Sequence, residues 1–246
     1  MVRVPGTGGG AVKDIFDRNQ NKYLSPYDQP FIYNIALNYT LPALKTNKVL
    51  SWAVRDWTIG IFGAYASGLP ILAPAAQTNL NSLLLRNVTG ALSFANRVPG
   101  QPLFTKDLNC HCFDPNKEFV LNPNAWVDAA PGTFGTTAPY LNDYRWQRQP
   151  AESMSLARTF FINRERNVKF EVRAEFYNVF NRLFLTSPEP VKLSGGGAGI
   201  LTGANPVAPT TRDNQGRLTA GYGYVNWVNG AGSQPRSGQV VARVTF

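Results

Sequence analysis

Alternation between apolar and polar residues is the main pattern along this chain. In the segment 168–177, Val168, Phe170 and Val172 share one parity with Ala174 and Phe176, while the intervening positions are charged or end in Tyr177. This period of two predicts a β-strand with one apolar and one polar face. Similar patterns predict five strands in all, near 31–42, 55–66, 152–163, 167–180 and 237–246.

The connections between these strands alternate between short and long. The segments 66–151 and 181–236 are long, weakly periodic and rich in Gly, Pro, Asn and Ser. Loops beyond about 15 residues are uncommon in compact soluble domains. They are expected on one side of an outer-membrane barrel, where turns on the other side are short. We therefore predict an all-β antiparallel meander, part of a large transmembrane barrel, with these two segments as irregular extracellular loops.

Strand length and aromatic placement agree with this interpretation. A strand of about ten residues crosses a bilayer when it is tilted. Trp57 and Tyr65 bracket the second strand, and Phe176 and Phe180 close the fourth. Such residues form girdles at the two membrane interfaces. The alternative is a soluble β-sandwich, secreted or on the cell surface, that binds carbohydrate or protein and buries its apolar faces in a core.

Composition excludes several other classes. Only 16% of the residues are charged, and 22 Gly and 18 Pro punctuate the chain. The uncharged stretch 57–85 contains several of these Gly and Pro residues, so it predicts a strand and a loop rather than a transmembrane helix. The net charge is +9, but the basic residues are scattered singly, so we expect no nucleic-acid partner.

Catalytic motifs are also missing. The chain has one histidine, no nucleophile elbow and no Gly-rich phosphate loop before a helix. We therefore expect neither enzymatic activity nor a cofactor.

The only two cysteines flank the only histidine. Cys110, His111 and Cys112 are three potential zinc ligands. Their spacing is tighter than that of most zinc sites, and the sequence offers no second ligand pair. A local disulfide and a pair of free thiols are therefore favoured over a metal site, and the sequence does not choose between them.

Three segments carry a resemblance to a known family. The motif RAEFYNVFN (173–181) resembles the penultimate strand of TonB-dependent receptors of the Oar-like type, which have a carboxypeptidase-regulatory-like domain. DYRWQRQPAESMSLARTFFI (143–162) is similar to the strand before it. RSGQVVARVTF (236–246) is similar to their last strand. The resemblance covers roughly the last 110 residues, better in the motifs than in the loops, and the first 100 residues agree in pattern only.

The resemblance implies a location in the outer membrane of a Gram-negative type of cell and energised uptake or recognition of an unidentified extracellular ligand. Its implied partners are outer-membrane lipid and the barrel-assembly machinery, which would read Phe246 as a signal. TonB would act only through N-terminal regions. Such receptors have about 22 strands and a plug, whereas the chain accounts for about five strands and no plug. We therefore expect residues 1–246 to be one partial barrel domain, a fragment that does not transport alone.

The same interpretation assigns candidate site residues. Lys169, Glu171, Arg173 and Glu175 would face the barrel lumen, where pairing with each other or neighbouring strands is favoured over ligand contact. Loop aromatic residues could stack on a sugar or peptide, although packing within the loop is the favoured role; these are Tyr140, Tyr144, Trp146 and Trp227.

Overall fold

The fold is taken from a computed structural model of the chain. It describes residues 17–42, 48–74, 76, 93–110, 112–163, 165–188, 200–202, 205–207, 211–225 and 235–246.

These residues group into two compact units. The sheet unit comprises Pro30–Ser67, Arg148–Phe184 and Ala231–Phe246. The connection unit comprises Met1–Gln29, Gly68–Gln147 and Leu185–Gly230. The sheet unit therefore holds the predicted strands, and the connection unit holds most of the two long segments between them.

Five long strands form the sheet unit. They are β1 (Ile32–Thr40), β2 (Trp57–Ala66), β7 (Gln149–Asn163), β8 (Val168–Tyr177) and β13 (Ser237–Thr245). Their bounds lie within three residues of the sequence expectation; the largest differences are the start of β7 at Gln149 and the end of β8 at Tyr177. The predicted antiparallel β architecture is confirmed.

All neighbouring strands of this sheet run antiparallel, in the order β1-β2-β7-β8-β13. In this sheet β1 and β13 lie at the two edges. Register is continuous except for an irregularity in β7 between Phe161 and Asn163. A short helix, α1 (Lys48–Val54), lies between β1 and β2 in the chain. Among the described residues, none of the helices has the length and apolarity to span a bilayer.

Residues 165–167, between β7 and β8, adopt turn conformations. Asn167 has φ 56°, in the left-handed region that Asn tolerates better than most residues. The backbone N–H of Arg166 donates to Oδ1 of Asn163 at 3.1 Å. This side-chain bond replaces a strand bond where the chain reverses.

Within its described residues the connection unit contains eight short strands. They are β3 (Pro70–Leu72), β4 (Asn96–Arg97), β5 (Trp126–Val127), β6 (Tyr140–Arg145), β9 (Ile200–Thr202), β10 (Asn205–Val207), β11 (Thr211–Arg212) and β12 (Leu218–Ala220). They pair antiparallel as β3-β6, β4-β5, β9-β10 and β11-β12.

This unit has its own hydrophobic core. Ile71, Leu121, Trp126 and Tyr144 are at most 1% exposed. The ring centroids of Trp126 and Tyr144 are 5.3 Å apart, in an edge-on arrangement. The expectation of irregular loops at 66–151 and 181–236 is therefore corrected for the described residues: the segments fold because their apolar residues meet across long sequence separations.

Candidate functional site

Strand register decides which residues share a face of the sheet. Residues directly opposite each other across antiparallel strands point to the same side. One such row joins Leu37, Ile61, Met154 and Phe176. The neighbouring row on the other side joins Asn38, Gly60, Ser155, Glu175 and Gln239. The alternation seen in each strand is thus aligned across all five strands.

We call the two sides the apolar face and the polar face. The apolar face carries Tyr33, Ile35, Leu37, Tyr39, Trp57, Ile59, Ile61, Tyr65, Met154, Leu156, Phe160, Val168, Phe170, Val172, Ala174, Phe176, Val240, Ala242 and Val244. The polar face carries Asn34, Asn38, Thr40, Thr58, Ser153, Ser155, Thr159, Lys169, Glu171, Arg173, Glu175, Tyr177, Gln239, Arg243 and Thr245. It also carries several apolar residues, among them Ala36, Phe62, Phe161 and Val241.

Charged side chains on the polar face pair with one another along β8. Nη2 of Arg173 donates to Oε1 of Glu171 at 2.8 Å, and its Nη1 lies 3.5 Å from Oε1 of Glu175. Glu175 also accepts hydrogen bonds from Tyr177 at 2.8 Å and from Gln239 at 2.6 Å. The predicted positions 171, 173 and 175 therefore form one hydrogen-bonded ladder, which extends to β13 through Gln239.

Lys169 lies at the other end of β8, beside a polar cleft. Its Nζ is 5.5 Å from the ring centroid of Phe161. The cleft has a volume of about 330 Å³. Its lining consists of four threonines, three charged residues and one aromatic residue: Thr40, Thr58, Thr159, Thr245, Asp56, Lys169, Glu171 and Phe161. Hydroxyl groups and charges of both signs therefore make this cleft polar.

The apolar face is widely exposed. Leu37 is 53%, Ile61 is 43% and Val240 is 76% exposed. Contiguous apolar surface of this kind is typical of a membrane or protein contact. A soluble sandwich would bury this face against a second sheet.

Aromatic residues bound the aliphatic part of that face. Tyr33 and Tyr65 lie opposite each other near one end, and Phe160 and Phe170 lie opposite each other near the other. Trp57 and Tyr65 are eight residues apart, about 26 Å along an extended strand. At the tilt of about 40° typical of barrel strands, this length covers about 20 Å of membrane thickness, most of the apolar band of about 25 Å.

The candidate ligand aromatics that the structure describes are buried. Tyr140 is 9%, Tyr144 0% and Trp146 6% exposed. Trp146 donates its indole N–H to the backbone oxygen of Leu185 at 2.7 Å. These three rings pack inside the connection unit rather than presenting a surface to a ligand. The fourth candidate, Trp227, lies outside the described residues.

A tyrosine pair explains part of this burial. The hydroxyls of Tyr144 and Tyr222 are 2.9 Å apart. Burial is the main cause that raises the pKa of Tyr144 well above its usual range, and the neighbouring Tyr222 hydroxyl raises it further. Burial likewise raises the pKa of Tyr222. Both groups therefore remain neutral hydrogen-bonding partners in the core.

The cysteines form a disulfide. Cys110 and Cys112 are joined, with their Cα atoms 5.1 Å apart. A disulfide sulfur is not the thiolate that binds zinc. His111 lies outside the described residues, and the described part of the chain has no group of three or more potential metal ligands. Of the alternatives that the sequence left open, the structure therefore shows the disulfide rather than free thiols.

The apolar face also carries two charged residues, Glu152 and Arg158, which were not among the predicted site residues. Glu152 is 6% exposed and lies 3.0 Å from Nε of Arg182. Arg158 lies opposite Trp57 and Val172. Each is a charged residue at a position of β7 where the alternation predicts an apolar one, and this interruption is visible in the sequence. Phe246, the predicted assembly signal, follows β13 directly and is 97% exposed.

The sheet thus has one exposed apolar face between aromatic rows and one charged face. This two-sided pattern is that of transmembrane β-barrel walls. A model of the outer membrane beta barrel domain family matches residues 3–215, and the chain belongs to this family. The protein is therefore assigned to the outer membrane. No curated protein and no solved structure matches the chain.

Proposed function

We propose that the five-stranded sheet is a section of the wall of a TonB-dependent transporter or receptor for an unidentified extracellular ligand. The observation that carries the proposal is the aligned register, which places most apolar residues of the five strands on one face and most charged residues on the other. Membership of the outer membrane β-barrel family supports it. The RAEFYNVFN motif supports the more specific receptor type.

In this proposal the apolar face contacts lipid. The exposed side chains Leu37, Ile61 and Val240 would then be solvated by acyl chains rather than water. Edge strands β1 and β13 would pair with further strands of the same barrel, because an open sheet edge is not stable in lipid.

The polar face would line the lumen. Lys169, Glu171, Arg173 and Glu175 are then wall residues. The contacts of Arg173 with both glutamates support a structural role for these charges over direct ligand contact. Ligand movement would depend on a plug and on TonB, through regions other than the described sheet.

The connection unit would form the extracellular part. Its chain segments follow β2 and β8, so antiparallel topology places their attachments at the same end of the sheet. A folded unit at this position could contribute to ligand capture. The barrel-assembly machinery would be the partner during insertion, with Phe246 as its recognition residue.

Fractionation tests the wall proposal. The chain would be expressed with its natural flanking sequence, and membranes would be separated by density. We expect the protein in the outer-membrane fraction, extractable only with detergent. Recovery as a soluble, folded monomer would overturn the proposal.

A second measurement tests the receptor type. The same protein, solubilised in detergent, would be passed over the immobilised C-terminal domain of TonB. Retention is expected for a TonB-dependent receptor. Outer-membrane location without retention would leave the barrel wall intact and refute the TonB-dependent mechanism.

A further inference from the structure

Arg158 is a cation on the apolar face of the sheet. It lies opposite Trp57 of β2 and Val172 of β8, in a row that ends at Ala242 of β13. The row is therefore apolar except for this residue. An arginine at such a position is unfavourable in the middle of a bilayer but favourable near its surface, where the side chain reaches the headgroups.

Three aromatic rings surround its guanidinium group. Cζ of Arg158 lies 4.7 Å from the ring centroid of Trp52, 5.5 Å from that of Trp57 and 4.9 Å from that of Phe160. These distances are within the range of cation–π interactions. We call these three rings the aromatic cage. Tryptophan is enriched at membrane interfaces, so the two tryptophans of the cage indicate that Arg158 lies near the membrane surface.

The end of α1 fixes this cage. Nη2 of Arg158 donates to the backbone oxygen of Trp52. The indole N–H of Trp57 donates to the backbone oxygen of Ala53 at 2.8 Å. Both acceptors belong to the last turn of the helix, where backbone oxygens lack intrahelical partners. Arg158 is thus held in place before any external group arrives.

The charge of Arg158 has no carboxylate partner. Among the described residues no ion pair includes Arg158, and its Nε is buried without an acceptor. A guanidinium has five N–H donors in a planar fork that suits phosphate oxygens. Within the described part of the chain, Nη2 has an acceptor in Trp52 and Nε has none.

The sequences that connect β1 to β2 and β7 to β8 are more basic than acidic. The segment 41–56, between β1 and β2, contains Lys45, Lys48 and Arg55 against one acid, Asp56. The turn 164–167 contains two arginines and one glutamate. This excess of basic residues complements an anionic surface.

We infer that Arg158, held by Trp52, Trp57 and Phe160, binds the phosphate group of a membrane phospholipid. The inference rests on the proposed function, because it requires the apolar face to contact lipid. Phospholipid is the occupant that supplies both an anionic phosphate and acyl chains for the adjoining apolar rows. A free phosphate ion would satisfy the guanidinium but leave those rows uncovered.

Solid-state NMR can detect this contact in the unaltered protein. The chain with its natural flanking sequence would carry ¹³C-labelled arginine and be reconstituted in vesicles of phosphatidylcholine and phosphatidylglycerol. Dipolar coupling between guanidinium carbon and lipid phosphorus should dephase the Arg158 signal. Arg158→Lys identifies that signal by removing it, while Arg243→Lys, on the polar face, should leave it unchanged. If every dephased arginine signal persists in Arg158→Lys, or if no arginine signal is dephased in the unaltered protein, the inference is overturned.

Lipid retention provides a second measurement with a matched control. Native mass spectrometry would compare phosphatidylglycerol bound to the unaltered protein and to Arg158→Gln and Arg243→Gln. We expect loss of a retained lipid only in Arg158→Gln. Equal retention in all three would mean that Arg158 merely caps α1 and would refute lipid binding.

Protease protection of the same vesicles separates the two proposals. If the unaltered protein does not insert, both the wall proposal and the lipid inference fail. If it inserts and Arg158 shows no phosphorus contact, the wall proposal stands and the lipid inference fails.

Discussion

Large apolar side chains are buried in the connection unit but largely exposed on one face of the sheet unit. In the connection unit Leu121 and Trp126 are completely buried. In the sheet unit Leu37 and Ile61 are 53% and 43% exposed. The sequence is rich in apolar residues in both, so hydrophobic content alone does not reveal where a side chain lies.

The difference follows from geometry. A single sheet has two faces, and alternation gives it one apolar face that its own strands cannot cover. The connection unit instead brings apolar residues together from distant parts of the chain, as the contact between Tyr144 and Tyr222 illustrates. One unit therefore contains its core, whereas the other requires an apolar environment outside itself.

A matched pair of leucines should show the largest effect. Leu121→Ala removes side-chain carbons from a completely buried site, so we expect its region to lose about 2–5 kcal/mol of stability. Leu37→Ala leaves no enclosed cavity, because Leu37 is half exposed, and its effect should be smaller. Hydrogen exchange of the Asn122 amide, which donates to the Leu103 oxygen at 2.9 Å, measures the opening near Leu121. Exchange unaffected by Leu121→Ala would contradict an independently packed core.

A charge placed on either face should show the next largest effect. Met154 and Ser155 are adjacent in β7 but lie on opposite faces. In vesicles Met154→Arg should lower the free energy of unfolding by about 2–4 kcal/mol, because the charge would enter the lipid region. Ser155→Arg should change it much less, since the polar face would be hydrated. Denaturant titration of both variants measures the difference, and equal losses would contradict the assignment of the two faces.

A pH effect in the connection unit should be the smallest. The backbone N–H of Arg217 donates to Oδ1 of Asp213 at 2.9 Å and is the main reason that the pKa of Asp213 is lowered. A lowered folded-state pKa stabilises the turn above the ordinary aspartate pKa of about 3.9, and this contribution is lost as pH falls through the folded value. The NMR shift of the Arg217 amide should therefore move in acid.

Asp213→Asn is the matching control for this titration. It should abolish the acid-dependent shift at Arg217, because the amide does not ionise. The Asn116 amide should continue to titrate, since the pKa of Asp114 is lowered by a separate backbone hydrogen bond from Asn116. Persistent titration at Arg217 in the variant would assign the effect to another group.

The strands of the sheet unit could be predicted from sequence because each is long enough to repeat its pattern. Nine to fifteen residues give several periods of alternation, and β8 displays them almost without interruption. Parity alone placed Glu171, Arg173 and Glu175 on one face, whereas the prediction that this face lines the lumen also needed the loop lengths, Phe246 and the family resemblance. The hydrogen-bonded ladder of these residues with Gln239 could not be predicted, because it depends on the register between β8 and β13.

The connection unit could not be predicted in the same way. Its strands are two to six residues long, too short to establish a period. Tyr144 and Trp146 looked like loop aromatics because their buried surroundings come from distant segments. Arg158 was visible as an interruption of β7, but its cage needed the position of Trp52 on α1.

The number of strands in the sheet has a consequence for closure. With five strands, all in antiparallel pairs, the edge strands β1 and β13 point in the same direction. A ring in which every neighbour is antiparallel contains an even number of strands. The two edges therefore cannot complete such a ring by pairing with each other, and any set of strands that closes it must contribute an odd number.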